Sequence, residues 1–186
     1  MTKGQPRVLD GRESELIAEA AGGSATAFAA LIEHHYDRIY RLAWRFAGSR
    51  EAAEDIAQDV CVKLAHAIRQ YRGDAAFTTW LFRIVYTTAT DTLRARQRIS
   101  YFAPSDMQAI ADTSDSQTPE SNLIDAELWD AVRALPAQQR DAVLLVYAED
   151  MTHAEAAVVL ECTEKTVSWH LHEARKKLKI RLEAVG

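Results

Sequence analysis

The chain has 186 residues, of which 48% are hydrophobic and 26% charged, and a formal net charge of −5 at neutral pH. This balance excludes wholesale disorder, and the longest apolar run, residues 143–148, is far too short to cross a bilayer. The two cysteines, Cys61 and Cys162, lie far apart in helical patterns, which suggests neither a disulfide framework nor a CxxC metal site and suits a reducing cytoplasm.

In chain order, residues 1–12 read as a disordered tail without the apolar stretch of a signal peptide. A short helical pattern over 13–21 stops at Gly22-Gly23. Ser24 can cap a long helix, with Phe28, Leu31, Ile32, Tyr36, Ile39, Tyr40, Ala43 and Phe46 recurring at three and four, and Gly48 ends it. The next helix begins at Ser49 or Arg50 and turns Ile56, Val60, Leu64, Ala67, Ile68 and Tyr71 inward. Its other side gathers Glu54, Asp55, Gln58 and Asp59 into one acidic face. Such a face is either a solvated helix start or a docking patch for a basic partner.

Residues 71–98 follow. Arg72-Gly73-Asp74 reads as a turn whose Asp74 caps, and Phe77, Trp80, Leu81, Ile84, Val85 and Thr88 then line one helix face. Arg94, Arg96 and Arg98 close the helix, where cations suit the macrodipole. Aromatic rings followed by an arginine cluster suit single-stranded nucleic acid, while the same rings at helical spacing also suit a core.

Segment 101–121 is rich in Ser, Asp, Thr and Pro and reads as a flexible acidic linker. The span 101–127 carries six acidic residues and no basic one, so the net negative charge sits there and leaves both flanking halves near neutral. Residues 83–98 and 165–181 are instead locally basic, and local patches decide where a polyanion sits. Past the linker, helices are predicted over 122–135, 137–149, 152–160 and 163–183. Thr152 and Glu155 form a capping box, and a turn at 161–163 leads to a helix with Val167, Leu171, Ala174 and Leu178 inward. A short capped helix, a tight turn and a longer helix with a basic end is the helix-turn-helix plan. An ordinary helical hairpin with a solvated end shares the pattern. The outer face presents Lys165, Ser168, Trp169, His172, Glu173 and Lys176.

From about Glu13 to Leu182 the chain resembles the bacterial RNA polymerase sigma factors of the extracytoplasmic-function group. Residues 51–60 match that family's polymerase-binding helix, 71–84 its promoter-melting and −10 segment, and 134–140, 143–145 and 152–178 its −35-binding domain. The resemblance implies an all-α fold of two small helical domains joined by the linker. The domain over 13–100 would bind polymerase and the −10 element, and the one over 122–186 would be the −35-binding helix-turn-helix. It implies polymerase contacts from Glu54, Asp55, Gln58 and Asp59. Contacts to the −10 element would come from Arg72, Asp74, Phe77, Trp80, Arg83, Thr87 and Arg94. Those to the −35 element would come from Lys165, Thr166, Ser168, Trp169, His172, Glu173, Lys176 and Lys177. The expected partners are core RNA polymerase, promoter DNA and an anti-sigma factor, in the cytoplasm, with no membrane insertion, no catalysis and no cofactor or metal. Three departures stand out: the family's Ile-Ala-x-Asn reads Ile84-Val-Tyr-Thr87 here, the basic residues the family usually carries near Ser168 and Glu173 are missing, and Glu161 stands where the family usually has Gly.

Two other readings compete with this one. A sigma-like interaction protein would bind polymerase or an anti-sigma factor without reading DNA, as the weakly basic 168–173 face allows. A helical metalloprotein would use His34, His35, His66, His170 and His172, but His34 and His35 are adjacent, and no HExxH motif is present.

Overall fold

Serine caps set the helices of the N-terminal part of the chain. Ser24 accepts a hydrogen bond from the Ala27 N–H at 3.2 Å and starts a helix over Ala25–Ala47. Gly48, at φ 73°, ends it in the left-handed conformation and donates its N–H to the Trp44 carbonyl at 2.8 Å. Ser49 does the same service for Arg50–Ala67, accepting from Ala52 N–H at 3.4 Å.

The computed structural model describes residues 11–102 and 123–183, and the chain divides into two units, each helical throughout its described elements. The first unit holds α1 (Gly11–Ala21), α2 (Ala25–Ala47), α3 (Arg50–Ala67), a 3-10 turn (Ile68–Gln70) and α4 (Phe77–Phe102). α2 packs against α1, α3 and α4. Ile39, Leu42, Ile56, Val60, Leu81 and Val85 meet there with no exposed surface, and Ala43, Ala53 and Ala57 let the backbones approach closely. Each such large side chain contributes about 1.5–3 kcal/mol of hydrophobic stabilisation.

The second unit holds α5 (Leu123–Arg133), α6 (Ala137–Val143), a π-helical segment (Leu144–Ala148), α7 (His153–Leu160) and α8 (Glu164–Glu183). Its core joins Ala142, Leu144 and Leu145 to Val159 of α7 and to Val167, Leu171 and Ala174 of α8.

Several boundaries differ from the sequence expectation. α1 begins at Gly11, and α4 runs on to Phe102, because no Gly or Pro interrupts it before Pro104. The rest of the expected tail and linker, together with residue 122, lies outside the described residues. The single helix expected over 137–149 widens after Val143: the Glu149 N–H reaches back five residues to the Leu144 carbonyl at 3.1 Å. α4 starts at Phe77 with Ala76 in the cap position, whose carbonyl accepts from Trp80 N–H at 3.0 Å, so Asp74 lies too early to be its cap. Among the described residues, no helix is long and apolar enough to cross a membrane.

Candidate nucleic-acid interface

The helical repeat of α3 turns Glu54, Asp55, Gln58 and Asp59 outward, opposite the buried Ile56 and Val60, and all four are exposed. Two of the acids already hold partners. Arg50 donates to Glu54 at 2.8 Å one turn along the same helix. Arg96, on α4, donates to Asp55 at 2.6 Å and lies 3.9 Å from Glu51. Asp55 therefore joins α3 to α4, and the face is less negative than its residues suggest. Beside it, an open groove of about 620 Å³ between α2 and α3 is lined by Tyr36, Tyr40, Arg50, Glu54, Gln58 and Cys61. Burial pushes the Cys61 thiol up, which keeps it protonated.

The loop before α4 turns at Gly73, whose φ of 79° belongs to the left-handed region that glycine enters freely. Tyr71 closes the loop by donating its hydroxyl to the Ala75 carbonyl at 2.8 Å. Its ring packs 5.4 Å from Phe77 and 5.2 Å from Trp80, and His35 packs on Phe77 at 5.3 Å. Burial pushes the Tyr71 phenol up, with the carboxylates of Glu13 and Asp74 adding to the shift. Phe77 is 1% exposed, so as a direct base contact it must be withdrawn: its faces are spent on the core, and it holds the loop in place. Arg72 and Asp74 are exposed on the loop, while Trp80, Arg83, Thr87 and Arg94 fall at helical spacing along one side of α4. Asp91, which sequence reasoning passed over, is exposed within the same stripe. Thr87 donates its hydroxyl back to the Arg83 carbonyl at 2.9 Å, which leaves only its lone pairs for a ligand.

In the second unit the capping box is complete. Thr152 accepts from the Glu155 N–H at 3.2 Å, and Glu155 in turn accepts from the Thr152 N–H at 2.8 Å. Glu161 ends α7 at φ 53°, a left-handed conformation that costs a residue with a Cβ about 1 kcal/mol. α8 follows after a turn capped by the Thr163 hydroxyl, which accepts from Thr166 N–H at 3.1 Å. Lys165, Ser168, Trp169, His172, Lys176 and Lys177 are exposed along α8, while Thr166 and Glu173 are half-buried at its margins. Trp169 is 54% exposed, with its ring edge-on to His170 at 5.0 Å. Arg175 lies over the Tyr147 ring, 5.6 Å from its centroid, and donates to the Tyr147 hydroxyl. This contact ties α8 to the π-helical segment.

A family model described as Sigma-70 region 2 matches residues 31–99, and one described as Sigma-70, region 4 matches residues 125–178. The ECF RNA polymerase sigma factor SigM of Mycobacterium tuberculosis is 32% identical over 168 residues, covering 89% of this chain and 82% of its own length. The RNA polymerase sigma-H factor of Pseudomonas aeruginosa is 29% identical over 181 residues, covering 90% of this chain and 92% of its own length. Among solved structures, CnrH in complex with the cytosolic domain of CnrY aligns at a TM-score of 0.68 and 25% identity, over 94% of this chain and 99% of that one. The chain belongs to the extracytoplasmic-function sigma factors of RNA polymerase.

The two matches fall one on each unit of this sigma factor, with the acidic face and the loop in region 2 and α8 in region 4. Three features of the surface escaped the sequence. Arg96 and Asp55 are 41 positions apart, and neither carries a local signal for the other. His153 of α7 and Ser168 of α8 are 3.0 Å apart, again with no pattern to announce it. Glu13, His34 and His35 meet where α1 crosses α2, and their ligand atoms lie within 4.8 Å of one another. There the His35 Nε2 donates to a Glu13 carboxylate oxygen at 2.8 Å. Burial nevertheless pushes the His35 imidazole down, because the Glu13 carboxylate offsets only part of the desolvation.

Proposed function

We propose that this sigma factor binds core RNA polymerase through the α3 face, engages the −10 element with the 72–94 surface, and reads the −35 element with α8. The observation that carries the reading is Trp169, which is largely exposed in the first turns of the second helix of a helix-turn-helix, flanked by Lys165, Ser168 and His172. A protein that did not use this face would lose nothing by replacing an exposed indole with a polar residue. Lys176 and Lys177 follow one turn later, where phosphate contact is the natural role.

On this reading the protein acts by recruitment and positioning, with no chemistry of its own, and works in the cytoplasm, where promoters are. An anti-sigma factor is a further expected partner. The complex of the structurally similar CnrH with the cytosolic domain of CnrY supports a protein ligand for this fold.

Two experiments test the assignment. Asp59 is exposed on α3, so Asp59→Arg should weaken co-purification with core polymerase while leaving the thermal melt unchanged. Undiminished core binding by that variant would remove α3 from the interface. On a randomised upstream element, Lys177→Ala should lower holoenzyme binding about equally on all sequences and reduce the salt slope by about one unit. Trp169→Ala should instead change which sequence is selected. The reverse pattern would mean that α8 enters the groove in a different orientation.

A further inference from the structure

We propose that His153 fixes the hydrogen-bonding role of Ser168, and so decides which base edge α8 accepts at one position of the −35 element. The inference rests on the reading of α8 given above and deepens it.

The geometry begins with the capping box. Thr152 is held by Glu155 through its N–H at 2.8 Å and its hydroxyl at 2.7 Å, which fixes the backbone from which His153 projects. Val159 and Ala156 on α7 and Val167 and Ala174 on α8 are fully buried, so the two helices cannot slide past one another. Across that fixed spacing the His153 Nδ1 meets the Ser168 Oγ at 3.0 Å, and both side chains are exposed on the side of α8 that carries Trp169. A residue of the first helix thus reaches over the reading helix and takes one of its few short polar groups.

The consequence follows from counting protons. A serine hydroxyl has one proton and two lone pairs. In the Nε2–H tautomer, which is the one the proposal requires, Nδ1 is the acceptor and Ser168 donates its proton to it. What remains toward the groove is an acceptor alone. In the major groove an acceptor matches the exocyclic amino groups, adenine N6 or cytosine N4, and is mismatched with guanine O6 and thymine O4. A serine without this neighbour would rotate and bond to either kind. His153 is therefore a positioning residue that narrows what Ser168 can recognise.

The test uses holoenzyme assembled from core polymerase and the full chain, with promoters randomised across the upstream element. Wild type should favour an amino-bearing base at one position by roughly three- to tenfold, the size of one neutral hydrogen bond. His153→Ala and Ser168→Ala should both lose that preference at the same position. His153→Asn, whose carbonyl oxygen replaces Nδ1 as an acceptor, should keep it. The Asn variant also decides the matter if His153→Ala disturbs folding. Three results would overturn the proposal. One is a His153→Ala selection identical to wild type, and another is an equal loss on all sequences, which marks a phosphate contact. The third is a keto-bearing base selected at the Ser168 position. If Ser168→Ala and Trp169→Ala both left the whole selection unchanged, the fault would lie with the reading of α8 itself.

Discussion

The two units handle their aromatic and charged residues in opposite ways. In the first, Phe77 lies under Tyr71 and Trp80, and Arg96 is spent on Asp55. In the second, Trp169 stands largely in solvent, with Lys176 and Lys177 exposed about two turns further along α8. One surface pairs its rings and one of its arginines internally, while Arg72, Asp74 and Arg94 stay exposed beside them. The other is a core-backed helix whose outer side is left open. A residue's chemistry therefore says little about its availability until its neighbours are known, and the contrast can be pressed experimentally.

The largest expected effect is at Phe77. Phe77→Ala would leave a cavity between His35, Tyr71 and Trp80 and cost about 3–5 kcal/mol, a large share of the stability of a small unit. Trp169→Ala, at an exposed site, should stay within about 0.5 kcal/mol. Circular-dichroism melts of the two variants measure the difference directly. Equal losses would mean that the two rings are equally structural and would erase the distinction between the units.

Acidification should act on both units, through different histidines. Burial pushes the imidazoles of His35 and His170 below the ordinary 6.5. A histidine with a lowered folded pKa binds its proton more readily in the unfolded chain. Stability is then fully present above about pH 6.5 and falls as the pH drops through the window below it. Melting temperature measured from pH 7.5 to 5.0 should decline, and His35→Gln should flatten the decline in the first unit only. A melting temperature that rose on acidification would reverse the sign of both shifts.

A smaller effect belongs to Glu161. Glu161→Gly removes the left-handed penalty at φ 53° and should stabilise the second unit by up to about 1 kcal/mol, roughly 4–8 °C in a domain of this size. The first unit should not change. A loss of stability would show that contacts of the Glu161 side chain outweigh its backbone strain.

Much of this architecture was legible in the residues. Ser24, Ser49 and the Thr152–Glu155 pair mark helix ends through side chains that satisfy backbone groups locally, and Gly48 through its left-handed backbone, so their signal lies within four positions. The inward positions of α3 and α8 follow from apolar spacing alone, and Val60 and Val167 are fully buried as expected. What was hidden depends on distance along the chain. Nothing near Asp55 announces Arg96, and nothing near Ser168 announces His153. Phe77 was ambiguous for another reason, since a ring at helical spacing reads the same whether it stacks on a base or on Tyr71. The π-helical segment was invisible because Leu144, Leu145 and Val146 suit an α-helix equally well.

That segment has a consequence for length. An α-helix turns about 100° per residue, so one residue removed from it rotates everything beyond by that angle. Leu144–Ala148 holds an extra residue inside a helical turn, and Tyr147 emerges there to meet Arg175 of α8. Deleting one residue from 144–146 would restore regular hydrogen bonding, yet swing Tyr147 away from Arg175 and pull Thr152 back from the start of α7. The same deletion in an exposed loop would be absorbed by the loop. Between α6 and α7 the number of residues is thus as constrained as their identity. Single-residue insertions and deletions should be tolerated less there than most substitutions at Tyr147 itself.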